Sequence, residues 1–193
     1  MEVYMKKSSL VFVILVVVFI SFLPAQTSDN PIIKPFINNF SARNYGPGTV
    51  TKAELDTIIE AGIRTSSASN RQPWRFTVVQ NQTLVKQIVS QATDGNILIV
   101  ISAAGDGKTN GPVILDCGLA TQSMYLAAQA LGLGSRIYTG PMDTINSRFK
   151  QDLGIPAENN AIALVRIGRL PAGVDATSSA SPRNTAEQLV IYK

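Results

Sequence analysis

Three short polar segments carry the residues of this chain that could do chemistry. Each combines side chains that donate several hydrogen bonds with a neighbouring stretch of regular structure. Because phosphate binds where positive charge and several donors converge, an arginine beside hydroxyl and amide groups favours a phosphate site. The candidates are Ser41 and Arg43 in the first segment, Ser67, Ser69 and Asn70 in the second, and Arg183 in the third.

The second segment, SSASNRQPW at residues 66–74, is the most unusual of the three. It places small hydroxyl and amide residues before Gln72, Pro73 and the only tryptophan, Trp74. A backbone that wraps closely around a polar ligand would use such residues. Asn70 could form a two-way hydrogen bond with a flat heterocycle of alternating donors and acceptors. The alternative interpretation is that the segments hold ordinary turn residues and solvated arginines.

Composition excludes several kinds of site. The 193 residues include no histidine, which rules out histidine-dependent triads and the usual zinc sites. Cys117 is the only cysteine, and its apolar, helical neighbours predict a buried, unreactive thiol. The net charge of +4 is scattered along the chain, so the sequence does not favour nucleic-acid binding.

The first 26 residues have the layout of a secretory signal peptide. A short basic start precedes an apolar run at residues 10–23, and Pro24 and Ala25 follow. Because the run is shorter than the roughly 20 residues of a membrane-spanning helix, we expect cleavage after Ala25 or Gln26. This predicts a signal peptide at 1–26, one domain at 27–193, and a periplasmic or extracellular protein. The alternative is an uncleaved membrane anchor.

The elements that must position the polar segments follow from hydrophobic periodicity and capping signals. A helix begins at a capping box formed by Thr51 and Glu54, and a continuous apolar run at 96–105 predicts a buried central strand. The pattern predicts an α+β domain with a mixed sheet flanked by helices. Helices are predicted over 51–64, 82–92, 112–132 and 143–154, and strands over 75–80, 96–105, 135–140, 160–170 and 186–192.

Residues 39–80 resemble the opening of the nitroreductase family of FMN-dependent oxidoreductases. That family has Arg-x-Ser-x-Arg/Lys, a helix, Pro-Ser-x-x-Asn-x-Gln-Pro-Trp and a strand. The chain reads NFSAR at 39–43 and SSASNRQPW at 66–74, with a fitting helix between them. The LGLG end of the 112–132 helix and the SPRNT segment near the C-terminus extend the resemblance over about 150 residues.

The resemblance implies bound FMN, NAD(P)H as electron donor, and a small electron-poor acceptor such as a nitroaromatic or quinone, used in two half-reactions. It implies no catalytic side chain and no metal. It also implies a homodimer in which an extended C-terminal tail is exchanged. Trp74 and Gln72 would shape the loop and the core rather than touch substrate. The implied FMN contacts are Ser67 and Asn70, Ser41, Arg43 and Arg183 at the phosphate, and backbone amides near Thr139 and Gly140 along the ring.

The chain departs from the family pattern at three positions. Asn39 replaces the first arginine, Ser66 replaces the proline, and Ser181 replaces a basic residue. Since a hydrogen bond to a charged partner contributes about 1.5–3 kcal/mol, losing two would weaken FMN binding by about two to four powers of ten. Two alternatives therefore stay open: an exported, non-catalytic flavin- or ligand-binding protein, and a cofactor-free interaction module on the same scaffold.

Overall fold

The computed structural model describes residues 30–174 and 183–193, in two units divided after Ile37. The described part of the first unit is a turn followed by helix α1 (Lys34–Ile37), and the carbonyl oxygen of Asn30 accepts hydrogen bonds from the amides of Ile33 and Lys34. The predicted signal peptide lies outside the described residues. Within the two described ranges, no helix has the length and apolarity needed to cross a membrane.

The second unit, from Asn38 onward, has the α+β architecture that the sequence predicts. Its regular elements occupy nearly all of the predicted positions between residues 51 and 170. In chain order they are α2 (Lys52–Ile63), a 3-10 turn (Ala68–Asn70), β1 (Arg75–Val79), α3 (Gln82–Ile88), β2 (Ile97–Ala104), α4 (Gly111–Ala130), β3 (Gly134–Tyr138), α5 (Met142–Thr144), a π-helical segment (Ile145–Phe149), β4 (Asn159–Gly168) and α6 (Ala186–Leu189).

The four strands of residues 30–174 form one sheet in the order β1-β2-β4-β3. All three pairings are antiparallel, so the described strands contain no parallel pair, whereas the sequence predicted a mixed sheet. The central strands β2 and β4 are buried along almost their whole length, which explains their continuous apolar sequences. A register shift between Ile101 and Ser102 interrupts their pairing.

Helices cover both faces of the sheet. On one face α4 packs against the sheet and α2 packs on α4. Residues of both helices share an apolar cluster with Trp74, whose ring stacks on Phe76 with 6.2 Å between centroids. On the other face α3, α5 and the π-helical segment enclose a second apolar cluster around Leu98 and Leu164. Burial of apolar side chains on both faces makes the sheet the rigid frame from which the candidate segments extend.

The capping box predicted at the start of α2 is confirmed. The Thr51 hydroxyl accepts from the Glu54 amide (3.3 Å), and the Glu54 carboxylate accepts from the Thr51 amide (2.8 Å). The helix predicted at 143–154 is instead divided between α5 and the π-helical segment, and the turn that follows ends at Gly154, which has φ +61°. The helix predicted at 82–92 ends early because Val89 is extended (φ −126°, ψ 92°).

The strand predicted at 186–192 is wrong. Residues Ala186–Leu189 are helical, because Thr185 and Gln188 form a second capping box that starts a turn of helix. A strand also needs a neighbour for its backbone hydrogen bonds, and none of the strands in the described ranges pairs with this segment. The apolar side chains that suggested a strand are exposed on the described chain: Leu189 66%, Val190 44%, Ile191 82% and Tyr192 90%.

Candidate functional site

The first polar segment runs beside the edge strand β3. The amide of Ala42 donates to the carbonyl oxygen of Ser135 (3.0 Å), which adds one hydrogen bond to that edge. The buried Gln129, near the end of α4, forms two hydrogen bonds with the backbone of Phe40. Its Oε1 accepts from the Phe40 amide (3.3 Å), and its Nε2 donates to the Phe40 carbonyl (3.0 Å). These bonds fix the backbone on either side of the candidate residue Ser41.

Ser41 and Arg43 are both exposed, while Ala42 between them is fully buried. The two side chains line one cleft of about 270 Å³. A guanidinium and a hydroxyl in a small open cleft suit a phosphate, which needs positive charge and several donors. The cleft is lined by Phe40, Ser41, Arg43, Asn44, Leu170, Pro171 and Val174.

A bidentate ion pair adjoins this cleft, because Arg169 directly precedes the lining residue Leu170. Arg169, directly after β4, donates from Nη1 and Nη2 to the two carboxylate oxygens of Glu54, each at 2.7 Å. Its Nε donates to the carbonyl of Thr49 (3.0 Å), and its own carbonyl accepts from the amide of Gly46 (2.9 Å). The hydrogen bonds from Arg169 lower the pKa of Glu54 from 4.5 to about 2. The pair fixes the chain that leads from β4 into the cleft wall.

The second polar segment adopts a constrained backbone. Ser69, Asn70 and Gln72 have φ values of 52°, 54° and 46°, in the left-handed region that costs a residue other than glycine about 1–3 kcal/mol. Within the loop, the Gln72 amide donates to Ser67 Oγ (3.0 Å) and the Gln72 side chain donates to Asn70 Oδ1 (3.1 Å). Ser67, which the sequence predicts as an FMN contact, therefore also accepts a hydrogen bond that stabilises the loop.

The loop is attached to one face of α4. The amide of Ala68 donates to Asp116 Oδ1 (3.0 Å), and the hydroxyl of Thr65 donates to Ser123 Oγ (2.7 Å). Asp116 and Ser123 are seven residues apart and so lie on the same side of the helix. The sequence analysis did not identify Asp116, although it is the only charged residue of α4, a mostly apolar helix.

Asn70 lines a second cleft, of about 290 Å³. Its side chain is exposed there, and its Oδ1 is already engaged by Gln72. Asn70 therefore keeps its amide group available for a ligand at the surface of the loop. The lining residues are Ile63, Arg64, Thr65, Asn70 and Gln72.

Thr139 and Gly140 follow the last residue of β3 and are both exposed. The Thr139 carbonyl accepts from the amide of Met142 (3.2 Å), which begins the turn into α5. A side chain added at Gly140 would meet nothing within 4 Å, so the backbone at this turn is open to a flat group lying against it.

The strand order decides which candidates meet in one chain. Ser41 and Arg43 lie near the start of β3, and Thr139 and Gly140 lie at its end, so all four follow the same edge strand. The loop that carries Asn70 leads into β1, the opposite edge, which is about 14 Å away across three strand spacings. Arg183 is exposed and follows residues 175–182, which lie outside the described part of the chain.

Two predictions about single residues are confirmed. Trp74 is 5% exposed and belongs to the apolar core, as predicted for a residue that shapes the loop. Cys117 is fully buried in α4, and burial, with a smaller contribution from the neighbouring Asp116, raises the pKa of its thiol to about 12. A thiol with such a pKa is a poor nucleophile at neutral pH.

Relatives of known sequence and solved structures match this chain along most of its length. A relative from Archaeoglobus fulgidus, provisionally named NADH dehydrogenase/NAD(P)H nitroreductase, is 30% identical over 146 residues, which are 70% of this chain and 83% of the relative. A solved structure of a provisionally named nitroreductase in complex with FMN, from Desulfovibrio desulfuricans, is 27% identical with a TM-score of 0.69, over 85% of this chain and 98% of the other.

A second solved structure, a nitroreductase with bound FMN from Desulfitobacterium hafniense, has the same fold. It is 22% identical, with a TM-score of 0.69 over 85% of this chain and 98% of the other. The model of the Nitroreductase family matches residues 40–99 and 92–169, which include both clefts' main polar residues and the whole sheet. This chain therefore belongs to the nitroreductase family.

Proposed function

We propose that this protein is an FMN-dependent oxidoreductase that passes hydride from NAD(P)H to small electron-poor acceptors, such as nitroaromatics or quinones. The observation that carries the proposal is the arrangement along β3. A hydroxyl and a guanidinium, from Ser41 and Arg43, line a cleft at one end of the strand, and an open backbone turn lies at the other end. The FMN named in the two similar solved structures supports the same cofactor here.

The residues along β3 suit the two ends of a flavin nucleotide. Ser41 and Arg43 would hold its phosphate, with Arg183 as a further cation from the C-terminal segment. The backbone at Thr139 and Gly140 would hydrogen-bond to the edge of the ring, because the turn is exposed and free of side-chain obstruction. FMN supplies the hydride-transfer chemistry when it is bound.

The protein's part in this chemistry is binding and orientation. Hydride donor and acceptor would use the same position in turn, so the site must stay open on one side, as the exposed turn at Gly140 is. The rigid sheet fixes the flavin contacts, and Trp74 in the core fixes the end of the second loop. No step of the proposal uses a side chain as general acid or base.

A second copy of the chain would complete the site. Ser67 and Asn70 lie beside the edge of the sheet opposite to Arg43, so we propose that they contact the flavin of a partner subunit in a homodimer. Leu115 and Leu119, one turn apart on α4, are 63% and 40% exposed and offer an apolar contact surface. The exposed apolar residues 189–192 would be covered in such a dimer if the tail is exchanged.

We also propose that the protein is exported and acts in the periplasm or outside the cell. The support is the sequence of residues 1–26, a short basic start, an apolar run and small residues at its end. Mass spectrometry of protein recovered outside the cytoplasm tests this proposal. We expect the recovered protein to begin after Ala25 or Gln26, and an intact N-terminus would contradict cleavage.

Absorbance spectroscopy tests the cofactor and the donor together. The protein is incubated with excess FMN, freed of unbound flavin, and examined before and after anaerobic addition of NADPH or NADH. We expect a retained flavin spectrum that bleaches with the donor and returns when a quinone or nitroaromatic is added. Retained flavin that no nicotinamide bleaches would favour a non-catalytic flavin-binding protein, a reading that Asn39 in place of a basic residue also favours.

Arg43→Ala tests the phosphate site. We expect it to weaken FMN binding by about 10- to 100-fold, since a charged hydrogen-bonded partner contributes about 1.5–3 kcal/mol. Arg148→Ala, which removes an exposed arginine beside Phe149 and away from both clefts, is the matched control and should bind FMN like the wild type. Equal FMN affinity in wild type and Arg43→Ala would overturn the assignment of this cleft to the phosphate.

A further inference from the structure

Asp116 is a buried carboxylate that the proposed chemistry does not use. Its side chain is 3% exposed, and Oδ1 accepts the amide hydrogen bond of Ala68 at 3.0 Å. The other oxygen, Oδ2, is buried and has no hydrogen-bond partner within the described part of the chain. The Nη2 of Arg71 lies 3.7 Å from Oδ2, which is too long for a hydrogen bond but close enough for attraction between the charges.

Among the hydrogen bonds made by residues 67–72, the one to Asp116 differs in kind, and Thr65 before them forms a second bond to α4 through Ser123. The bonds from Asn70 to Ser67, from Arg71 to Ala68 and from Gln72 to Ser67 all join residues inside the loop. They can hold the shape of the turn but cannot fix where the turn lies. The bond from Ala68 to Asp116 spans 48 residues and joins the turn to the long helix α4.

The backbone of the loop needs such an attachment. Three of the four residues 69–72 have positive φ values, and none of them is glycine: Ser69, Asn70 and Gln72. Such conformations persist only where the surrounding structure holds them. Asn70, the residue that faces the second cleft, lies in the middle of this strained stretch. Its direction therefore depends on the contacts that hold Ala68 and Arg71 on either side.

We propose that Asp116 is a positioning residue for cofactor binding. Through the Ala68 amide and the Arg71 guanidinium, its carboxylate holds residues 67–72 on α4 in the strained conformation that presents Asn70 to the flavin. The part of this proposal that concerns the flavin rests on the proposed function. The part that concerns the loop does not, because it can be measured in protein without cofactor.

Two variants break the attachment from opposite sides. Asp116→Ala removes the acceptor on the helix, and Ala68→Pro removes the donor on the loop. The backbone at position 68 admits proline, because Ser67 before it is extended (φ −142°, ψ 157°) and Ala68 is the first residue of the 3-10 turn. The ring would also push against Asp116 Oδ1, which lies 3.0 Å from the Ala68 nitrogen, so this variant both removes the donor and displaces the acceptor. Asp116→Asn keeps an oxygen acceptor and loses only the charge. Asp56→Ala, which removes an exposed carboxylate paired with Lys52, is the matched control.

Two readouts separate loop position from cofactor binding. The first is the rate of tryptic cleavage after Arg71 in cofactor-free protein, followed by mass spectrometry. The second is the Kd of FMN from a fluorescence titration. We expect Asp116→Ala and Ala68→Pro each to speed the cleavage and weaken FMN binding by about tenfold or more. Asp116→Asn should come close to the wild type in both the cleavage rate and the Kd of FMN, and Asp56→Ala should match the wild type in both.

Several results would overturn the proposal. Wild-type cleavage rates and FMN affinity in Ala68→Pro would do so, even if Asp116→Ala fails to fold. Faster cleavage with unchanged FMN affinity would remove the role in cofactor binding. A wild-type protein that binds no FMN would overturn the proposed function and with it that role, while the cleavage rate would still decide whether Asp116 fixes the loop.

Discussion

Arg166 and Asp116 are both charged and buried, but their surroundings differ. Arg166, on β4, is 1% exposed, donates from Nε to Asn96 Oδ1 (2.8 Å) and from Nη2 to the carbonyl of Gln91 (2.9 Å), and lies 4.0 Å from the centre of the Tyr45 ring. Asp116 has one hydrogen-bond partner and one buried oxygen without any in the described residues. The two charges lie on opposite faces of the sheet.

The difference teaches what each charge can control. Both acceptors of Arg166, Asn96 and Gln91, lie in the connection between α3 and β2, so its contacts hold that connection to the sheet. The partner of Asp116 belongs to a strained surface loop, so its contact holds a potential ligand-binding element to the core. Removal of Arg166 should therefore act on global stability, and removal of Asp116 on the loop.

The largest expected effect comes from Arg166→Ala. Asn96 would lose a donor in a buried position and the Gln91 carbonyl a donor in a partly buried one, and the missing side chain would leave a cavity. We expect the free energy of unfolding to fall by about 3 kcal/mol, measured by urea denaturation, against about 1 kcal/mol for Asp116→Ala. The exposed Arg148→Ala should change it by less than about 0.5 kcal/mol. A larger loss in Asp116→Ala than in Arg166→Ala would reverse the comparison.

A smaller effect is expected at Glu54, whose charge has a direct counter-ion. Arg169 lowers the pKa of Glu54 to about 2, below its ordinary value of 4.5. A lowered pKa in the folded state adds stability above pH 4.5, and this contribution is lost as the pH falls through about 2. Because the Glu54 side chain is 21% exposed, we expect only about 1–2 kcal/mol after solvent screening.

Glu54→Gln isolates this contribution, since glutamine can still form the capping box with Thr51. We expect the wild type to exceed the variant in unfolding free energy at pH 6 and the difference to disappear between pH 4.5 and 2, measured by urea denaturation at each pH. Asp56→Asn, an exposed carboxylate on the same helix, is the control. A difference that stays constant down to pH 2 would show that the charge of Glu54 is not its source.

How far the sequence predicted the fold depends on how local each signal is. The capping box at Thr51 needs only neighbouring residues, and the buried central strand β2 is visible as an apolar run, so both were predicted. The C-terminal strand was wrong because strand formation depends on a partner that a propensity pattern does not supply. Similarly, the order β1-β2-β4-β3 is set by contacts between distant segments.

In the candidate site, too, the local features were predictable from the sequence and the contacts between distant residues were not. Ser41 and Arg43 are two residues apart, so their shared cleft was predictable from the sequence and the family resemblance. The separation of Asn70 from them follows from the strand order, which the sequence did not reveal. The contact of Asp116 with Ala68 joins residues 48 positions apart. A lone acidic residue in an apolar helix was its only signal, and such a signal does not identify the partner.

The last expected effect is a difference in labelling rate at Cys117, which adjoins Asp116 and reports on whether that region opens. Burial raises the pKa of its thiol to about 12, so the reactive thiolate is scarce at pH 8. Because Cys117 is the only cysteine, labelling by a thiol reagent reports on it alone. We expect native protein to label at least about 100-fold more slowly than protein in urea.

The variants then sharpen the contrast between the two buried charges. Arg166→Ala should speed labelling of Cys117, because a lower unfolding free energy populates the open state more often. Asp116→Asn should leave the labelling rate near that of the wild type, because it acts on the surface loop and keeps α4 in place. Fast, stoichiometric labelling of the native wild type would contradict the burial of Cys117. Labelling that speeds up more in Asp116→Asn than in Arg166→Ala would mean that Asp116 supports the core, and not only the loop.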